Sequence, residues 1–267
     1  MFMKNKSALQ LMFLVFIIGC STNVIDENDL VEKSSLAYLK NSETPFSGKI
    51  NGKFKNGNNR IIGQYAEGKK VGDWVLFYDN GNEKEKGTYS NGKKIGTWIS
   101  YYKDGVISSK GDYIKGEKDG LWKYWYNSGA KEKEVQFLEG KQNGKAILWH
   151  TNEKEKSIGM FSVGILNGEY SEWDQNGNKI SEGNFKNGQK WNGYFGDDHF
   201  IDGKKGSLYV KYYKNGQKKI EGVLIDGKKA GAWMEWFASG DRKYSGNYKN
   251  DLKDGRWLEW DLSLIHI

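Results

Sequence analysis

The chain reads as an all-β protein: an elongated, twisted, single antiparallel meander of stacked β-hairpin repeats of about 24 residues. Three observations predict it. A glycine recurs at Gly72, Gly96, Gly120, Gly144 and Gly168, then again at Gly206, Gly231 and Gly255. Aromatic residues hold fixed places after that glycine, as in Trp98 and Tyr101. A turn dipeptide such as Asn80-Gly81 or Asp104-Gly105 closes each aromatic stretch.

The rings define the unit. Two positions after the reference glycine stand Trp74, Trp98, Trp122, Trp233 and Trp257, with Ala146, Tyr170 and Leu208 as substitutes. Five positions after it stand Phe77, Tyr101, Trp125, Trp149, Trp173, Trp236 and Trp260. Of the 11 tryptophans 10 fall in these two slots, leaving Trp191 outside, so their placement is architectural. A third ring precedes the glycine by seven positions, as Tyr65, Tyr89, Tyr113 and Phe137. Asn-Gly and Asp-Gly supply the positive φ values of a type I′ turn, so Asn80-Gly81 and its counterparts are expected to be such turns. Segments of about seven residues between turns have strand length. In "TWISYY" (97–102) alternation sets Trp98, Ser100 and Tyr102 on one face and Ile99 and Tyr101 on the other. One hairpin alone is marginal in water, so neighbouring units must stabilise each other through their rings. Composition agrees. Hydrophobic residues make up only 37% of the chain while aromatics reach 15%, so large rings supply most of the buried area.

The unit from Gly87 to Gly105, G-x-Y-x-x-G-x-x-x-G-x-W-x-x-Y-Y-x-x-G, resembles the bacterial MORN-variant repeat. The resemblance covers roughly residues 44–261 and implies a non-catalytic interaction surface. Many bacterial relatives of this family carry an antitoxin label by association.

The amino terminus reads as a lipoprotein leader. Lys4 and Lys6 precede an apolar run from Leu9 to Ile18, and "IIGC" (17–20) resembles a lipobox. Residues 1–19 are therefore expected to be a signal peptide and Cys20, the only cysteine, the lipidation site. Several acyl chains on one residue would anchor the protein to a membrane, since each buried methylene contributes about 0.8 kcal/mol. The location implied is the bacterial cell envelope. That means the outer membrane or periplasmic face if the host is Gram-negative and the cell surface otherwise. Residues 20–29 read as a polar tether and 30–43 as a capping hairpin on the first edge of the sheet. A first repeat block is expected over 44–188 and a second over 189–261, with "GDDHFIDGKKG" (196–206) protruding as an inserted loop. The closing "LSLIHI" (262–267) is what CTGTCTCTTATACACATC encodes, which resembles a sequencing adapter, so these residues are expected to be non-native.

Catalytic signatures do not appear. There is no nucleophile elbow, P-loop or dinucleotide fingerprint, and the glycines recur at turn spacing, not in phosphate-binding runs. His150, His199 and His266 make no triad, and His150 fills a slot that tyrosine holds elsewhere. Asp197, Asp198 and Asp202 around His199 have no second histidine or cysteine to complete a metal site. No enzyme, cofactor or metal is expected. The formal charge of +7 falls to +5 once Lys4 and Lys6 leave with the leader, and both signs alternate along the chain. Nucleic acid is therefore not the expected partner.

What remains is a membrane-anchored scaffold for an unknown protein partner. The alternatives are a toxin-neutralising or immunity role and a cell-wall glycan-binding module. Trp74, Trp98, Trp122, Trp233 and Trp257 are assigned to structure. Tyr101, Trp125, Trp149, Trp173 and Trp236, on the opposite face, are the candidate partner-binding residues.

Overall fold

A computed structural model describes residues 24–261. The leader with Cys20 and the closing residues 262–267 fall outside the described residues, as do the expectations placed on them.

The polypeptide forms one open sheet of 20 strands. From Gly48–Lys53 to Leu252–Glu259 each strand pairs antiparallel with the next in sequence. At a strand spacing of about 4.8 Å the ribbon extends for roughly 90 Å. Its core is a single row of rings on one face, called inner below. The buried cluster there is Phe46, Ile50, Ile61, Trp74, Trp98 and Trp122.

Glycine and tryptophan are matched across strands, and this explains the repeat. Trp98 stands opposite Gly111 on the following strand, and a Cβ added to Gly87 on the preceding strand would overlap its indole. The same holds for Gly63 with Trp74, Gly111 with Trp122, Gly222 with Trp233 and Gly246 with Trp257. A flat indole can lie on the backbone only where the neighbour has no side chain. The indole N–H groups are satisfied in place, Trp98 Nε1 by Thr88 O at 3.2 Å and Trp122 Nε1 by Asp112 O at 3.0 Å.

The two turn types are the reverse of the expectation. At Asn80-Gly81 only Gly81 has a positive φ, 93°. Gly81 N donates to Tyr78 O at 3.0 Å and Tyr78 N to Asn82 O at 2.8 Å. This is a three-residue loop ending in a left-handed glycine, with a bulge that shifts register between Leu76 and Phe77. The two-residue turns with positive φ at both positions lie at the other edge, as in Asn91-Gly92 (49° and 79°) and Lys115-Gly116 (53° and 92°). The side chain explains the first case. Asn80 Nδ2 donates to Lys103 O one repeat on, while its Oδ1 accepts from Asn82 N. The asparagine serves the ladder between turns and does not need a left-handed backbone.

Two further expectations are corrected. Residues 196–206 are not a protruding loop. Asp198–Ile201 is a short strand paired on one side with Gln189–Phe195 and on the other with Lys204–Tyr212. Phe200 packs edge-on against Phe195 at 5.8 Å, so burial holds the segment in the sheet. Nor are residues 24–29 a free tether. Val24–Ile25 pairs parallel with Gly48–Lys53, which makes the sheet mixed at that end. Asp26 Oδ1 caps the 3-10 turn Glu27–Asp29 by accepting from Asn28 N at 2.8 Å. In both segments the backbone N–H and C=O groups pair with strand edges that would otherwise be open.

A separate hairpin, Leu30–Lys33 with Leu36–Leu39, folds beside this end. Leu30, Leu39 and Ile25 pack on the buried cluster, Ala37 N donates to Gly68 O, and Glu27 pairs with Arg60 at 2.6 Å.

Candidate interaction surface

The inner rings form a continuous ladder. Tyr65, Trp74, Tyr89, Trp98, Tyr113 and Trp122 meet in turn, each pair edge-to-face, with centroids 5.0 to 6.1 Å apart. Phe137 closes the row against Trp122 at 6.4 Å. Such pairs contribute about 0.5–1.5 kcal/mol each beyond the area they bury. Lys70, Lys94 and Lys118 lie over Trp74, Trp98 and Trp122 at 4.6, 3.8 and 4.0 Å, closing the ladder to solvent with their stems. Trp74 and Trp98 are only 0% and 1% exposed, and Trp122 and Trp233 are also buried. Trp257 is half-buried, because Leu252–Glu259 has a paired neighbour on one side only among the described residues.

Burial on this face shifts its ionisable groups. Burial, followed by Glu27 and Glu32, pushes the Tyr65 hydroxyl up to about 12. Burial also raises Tyr89 and Tyr113 and lowers the Lys118 ammonium. Lys118 Nζ donates to Tyr124 Oη at 2.7 Å, whereas Lys94 has an ion pair with Glu85 at 2.7 Å. Buried tryptophans cannot stack on a sugar or a partner, so the inner face is core.

The second ring series lies on the outer face. Tyr101, Trp125, Trp149, Trp173 and Trp236 are all half-buried. Each sits just past the bulge beside the three-residue turn, with register shifts at Ser100/Tyr101, Tyr124/Trp125, Leu148/Trp149, Glu172/Trp173 and Glu235/Trp236. Their backbones are held from the repeat before. Tyr78 Oη donates to Tyr101 O, Tyr102 Oη to Trp125 O, Tyr126 Oη to Trp149 O and Tyr213 Oη to Trp236 O, all at 2.8 Å. His150 fills the equivalent place, with Nε2 2.9 Å from Trp173 O, so the imidazole replaces a phenol in a structural clamp. The rings themselves have lysine beside them. Lys86 lies 5.4 Å from Tyr101, Lys131 5.1 Å from Trp149, Lys179 5.6 Å from Trp173 and Lys218 5.4 Å from Trp236. No ring contact among the described residues joins two members of this outer series. Phe77 and Trp260 hold the same repeat position, 24 residues before Tyr101 and 24 after Trp236.

Asp198 pairs with Lys205 at 2.7 Å, and the described residues hold no group of three or more His, Cys, Asp or Glu able to bind a metal.

In register, the aromatic strand, the three-residue turn and the returning strand form one unit. Comparison with known families recognises this same unit. A search of curated proteins finds no match. The family model described as "MORN repeat variant" matches the chain four times, at residues 70–91, 94–115, 118–139 and 166–187, so these segments are similar to that non-catalytic scaffold repeat.

Proposed function

We propose that this protein is a binding scaffold of the bacterial envelope, anchored through a lipid on Cys20, whose outer face contacts a protein partner. One observation carries the reading. Tyr101, Trp125, Trp149, Trp173 and Trp236 have their backbones clamped, yet their rings stay half-exposed and apart from one another. Rigid, amphipathic rings on an ordered backbone lose little entropy on binding, which suits them to act as anchors. MORN-type repeats, associated in general with interaction scaffolds, support the same reading.

The test is alanine at Tyr101, Trp125, Trp149 and Trp173 together, read by cross-linking in intact cells and by thermal unfolding. Loss of cross-linked partners with the fold intact supports the proposal, whereas collapse of the fold would make these rings core. Retention on purified peptidoglycan, abolished by the same substitutions, would replace the protein partner by a glycan. Cys20→Ser should move the protein from the membrane fraction to the soluble fraction.

A further inference from the structure

On the inner face the repeats differ in how the lysine over the tryptophan is balanced. Lys94, over Trp98, has the Glu85 carboxylate at 2.7 Å, supplied nine residues earlier in the chain. Lys118, over Trp122, has the short, uncharged Ser109 at that place and donates to Tyr124 Oη at 2.7 Å. Lys133 stands directly opposite Tyr124 on the next strand, its Nζ 4.4 Å from the ring centroid. Ser109 is paired with Tyr124 on the other side. Among the described residues neither Lys118 nor Lys133 has an ion pair, and the neighbouring Glu134 is taken by Lys131.

The repeat calls for neither residue. No other unit has tyrosine at the position of Tyr124, where Leu76, Ser100 and Glu172 stand. No other unit has a basic residue at the position of Lys133, where Ile61, Glu85 and Ser157 stand. Burial lowers the Lys118 ammonium, and Glu85, already paired with Lys94, offsets this only in part. That is the cost of holding a charge there with no anion beside it. Burial raises the Tyr124 hydroxyl, Lys133 lowers it and Glu132 raises it by less, so Lys133 outweighs Glu132 at that oxygen. Because Tyr124 Oη accepts from Lys118, its own O–H is left to donate, and it has no acceptor among the described residues. Two ammonium groups and a hydroxyl, all on half-buried side chains, thus have hydrogens to give on one face.

We propose that Lys118, Tyr124 and Lys133 bind one small oxyanion of the phosphate or sulfate kind. Glu85 shows the place: its carboxylate fills beside Lys94 the space that Ser109 leaves beside Lys118. Two ammonium groups match the charge of about −1.5 to −2 that a phosphate monoester carries near neutral pH, and its oxygens are strong acceptors. The site lies on the opposite face from the outer rings and is independent of them.

Calorimetric titration of the purified chain with inorganic phosphate, at fixed ionic strength, tests it. A Kd of about 1 mM is expected. Lys133→Met and Tyr124→Phe should each weaken binding about tenfold, and the latter keeps its ring against Trp122. Lys123→Met removes the same charge from the other face of the same strand and should change the affinity by less than about twofold. Ser109→Glu copies the Glu85–Lys94 arrangement, so it should abolish phosphate binding and raise the unfolding midpoint. No binding by the native chain at about 10 mM phosphate, or an equal loss in the Lys123 variant, overturns the proposal. Binding to phosphatidate vesicles without binding to free phosphate also overturns it, since the ligand would then be a lipid surface. Should Lys133→Met fail to fold, Tyr124→Phe decides alone, and an unchanged affinity there counts against the site.

Discussion

The repeats around Trp74, Trp98 and Trp122 and the repeat around Ala146 solve one packing problem in two ways. In the former, tryptophan lies on a glycine of the preceding strand. In the latter, Val135 stands where that glycine would be, and Ala146 pairs with it directly. Both are buried, at 3% exposure each. A side chain has been moved from one strand to its neighbour, so the interior stays filled while the ring ladder stops at Phe137. The lesson is that the conserved quantity across this sheet is volume between paired strands, and the tryptophan is one way of supplying it.

Breaking the regular side should have the largest effect. Trp98→Ala removes a fully buried indole and leaves glycines on both sides of the gap, so thermal or urea unfolding should show a loss of about 3–5 kcal/mol. The comparison is sharpened by adding Gly87→Val to that variant, which copies the Val135/Ala146 arrangement. At least a third of the loss should return, and strictly additive effects would show that volume is not what the two repeats share.

The converse exchange should be smaller. Ala146→Trp forces an indole against Val135 and should cost about 1–3 kcal/mol, whereas Val135→Gly in the same chain should relieve it. Smaller again is the clamp. Tyr102→Phe removes the hydrogen bond to Trp125 O and should cost about 1 kcal/mol. His150→Phe in the irregular repeat should cost a similar amount, since its ring nitrogen contacts Trp173 O in the same way.

The smallest effect near neutral pH is a titration common to both regions. Tyr65 is pushed up to about 12 chiefly by burial, and Tyr170 to about 12 by burial with Glu172 beside it. An unfolded tyrosine ionises near 10, so above that pH the unfolded chain gives up protons that the folded chain retains. Stability from these groups is fully present below pH ~10 and is lost as pH rises towards ~12. Tyr65→Phe should flatten that alkaline decline in a pH series of unfolding midpoints, and an unaltered slope would remove burial of Tyr65 as its cause.

Much of the architecture was legible before any coordinates. The recurrence of Gly72, Gly96 and Gly120 with Trp74, Trp98 and Trp122 dictates hairpins in one register, because a strand alternates faces and a meander must repeat that alternation. The opposition of Trp98 and Tyr101 also follows from their odd spacing. Local residue type could not decide the turns. Asn80-Gly81 carries a type I′ signature, yet the bulge and the link from Asn80 to Lys103 select another turn, and that link crosses to the next repeat.

By itself, then, the sequence determined the period, the antiparallel order and the two opposed ring series, since these depend on spacing along one chain. Tertiary structure decided which series is dry, because Trp98 is closed off only when Tyr89 and Tyr113 arrive from the neighbouring strands, with Lys94 of its own strand lying over the ring. It also decided the fate of Val24–Ile25 and Asp198–Ile201. Short segments like these have little preference of their own and take the structure that satisfies the nearest open edge.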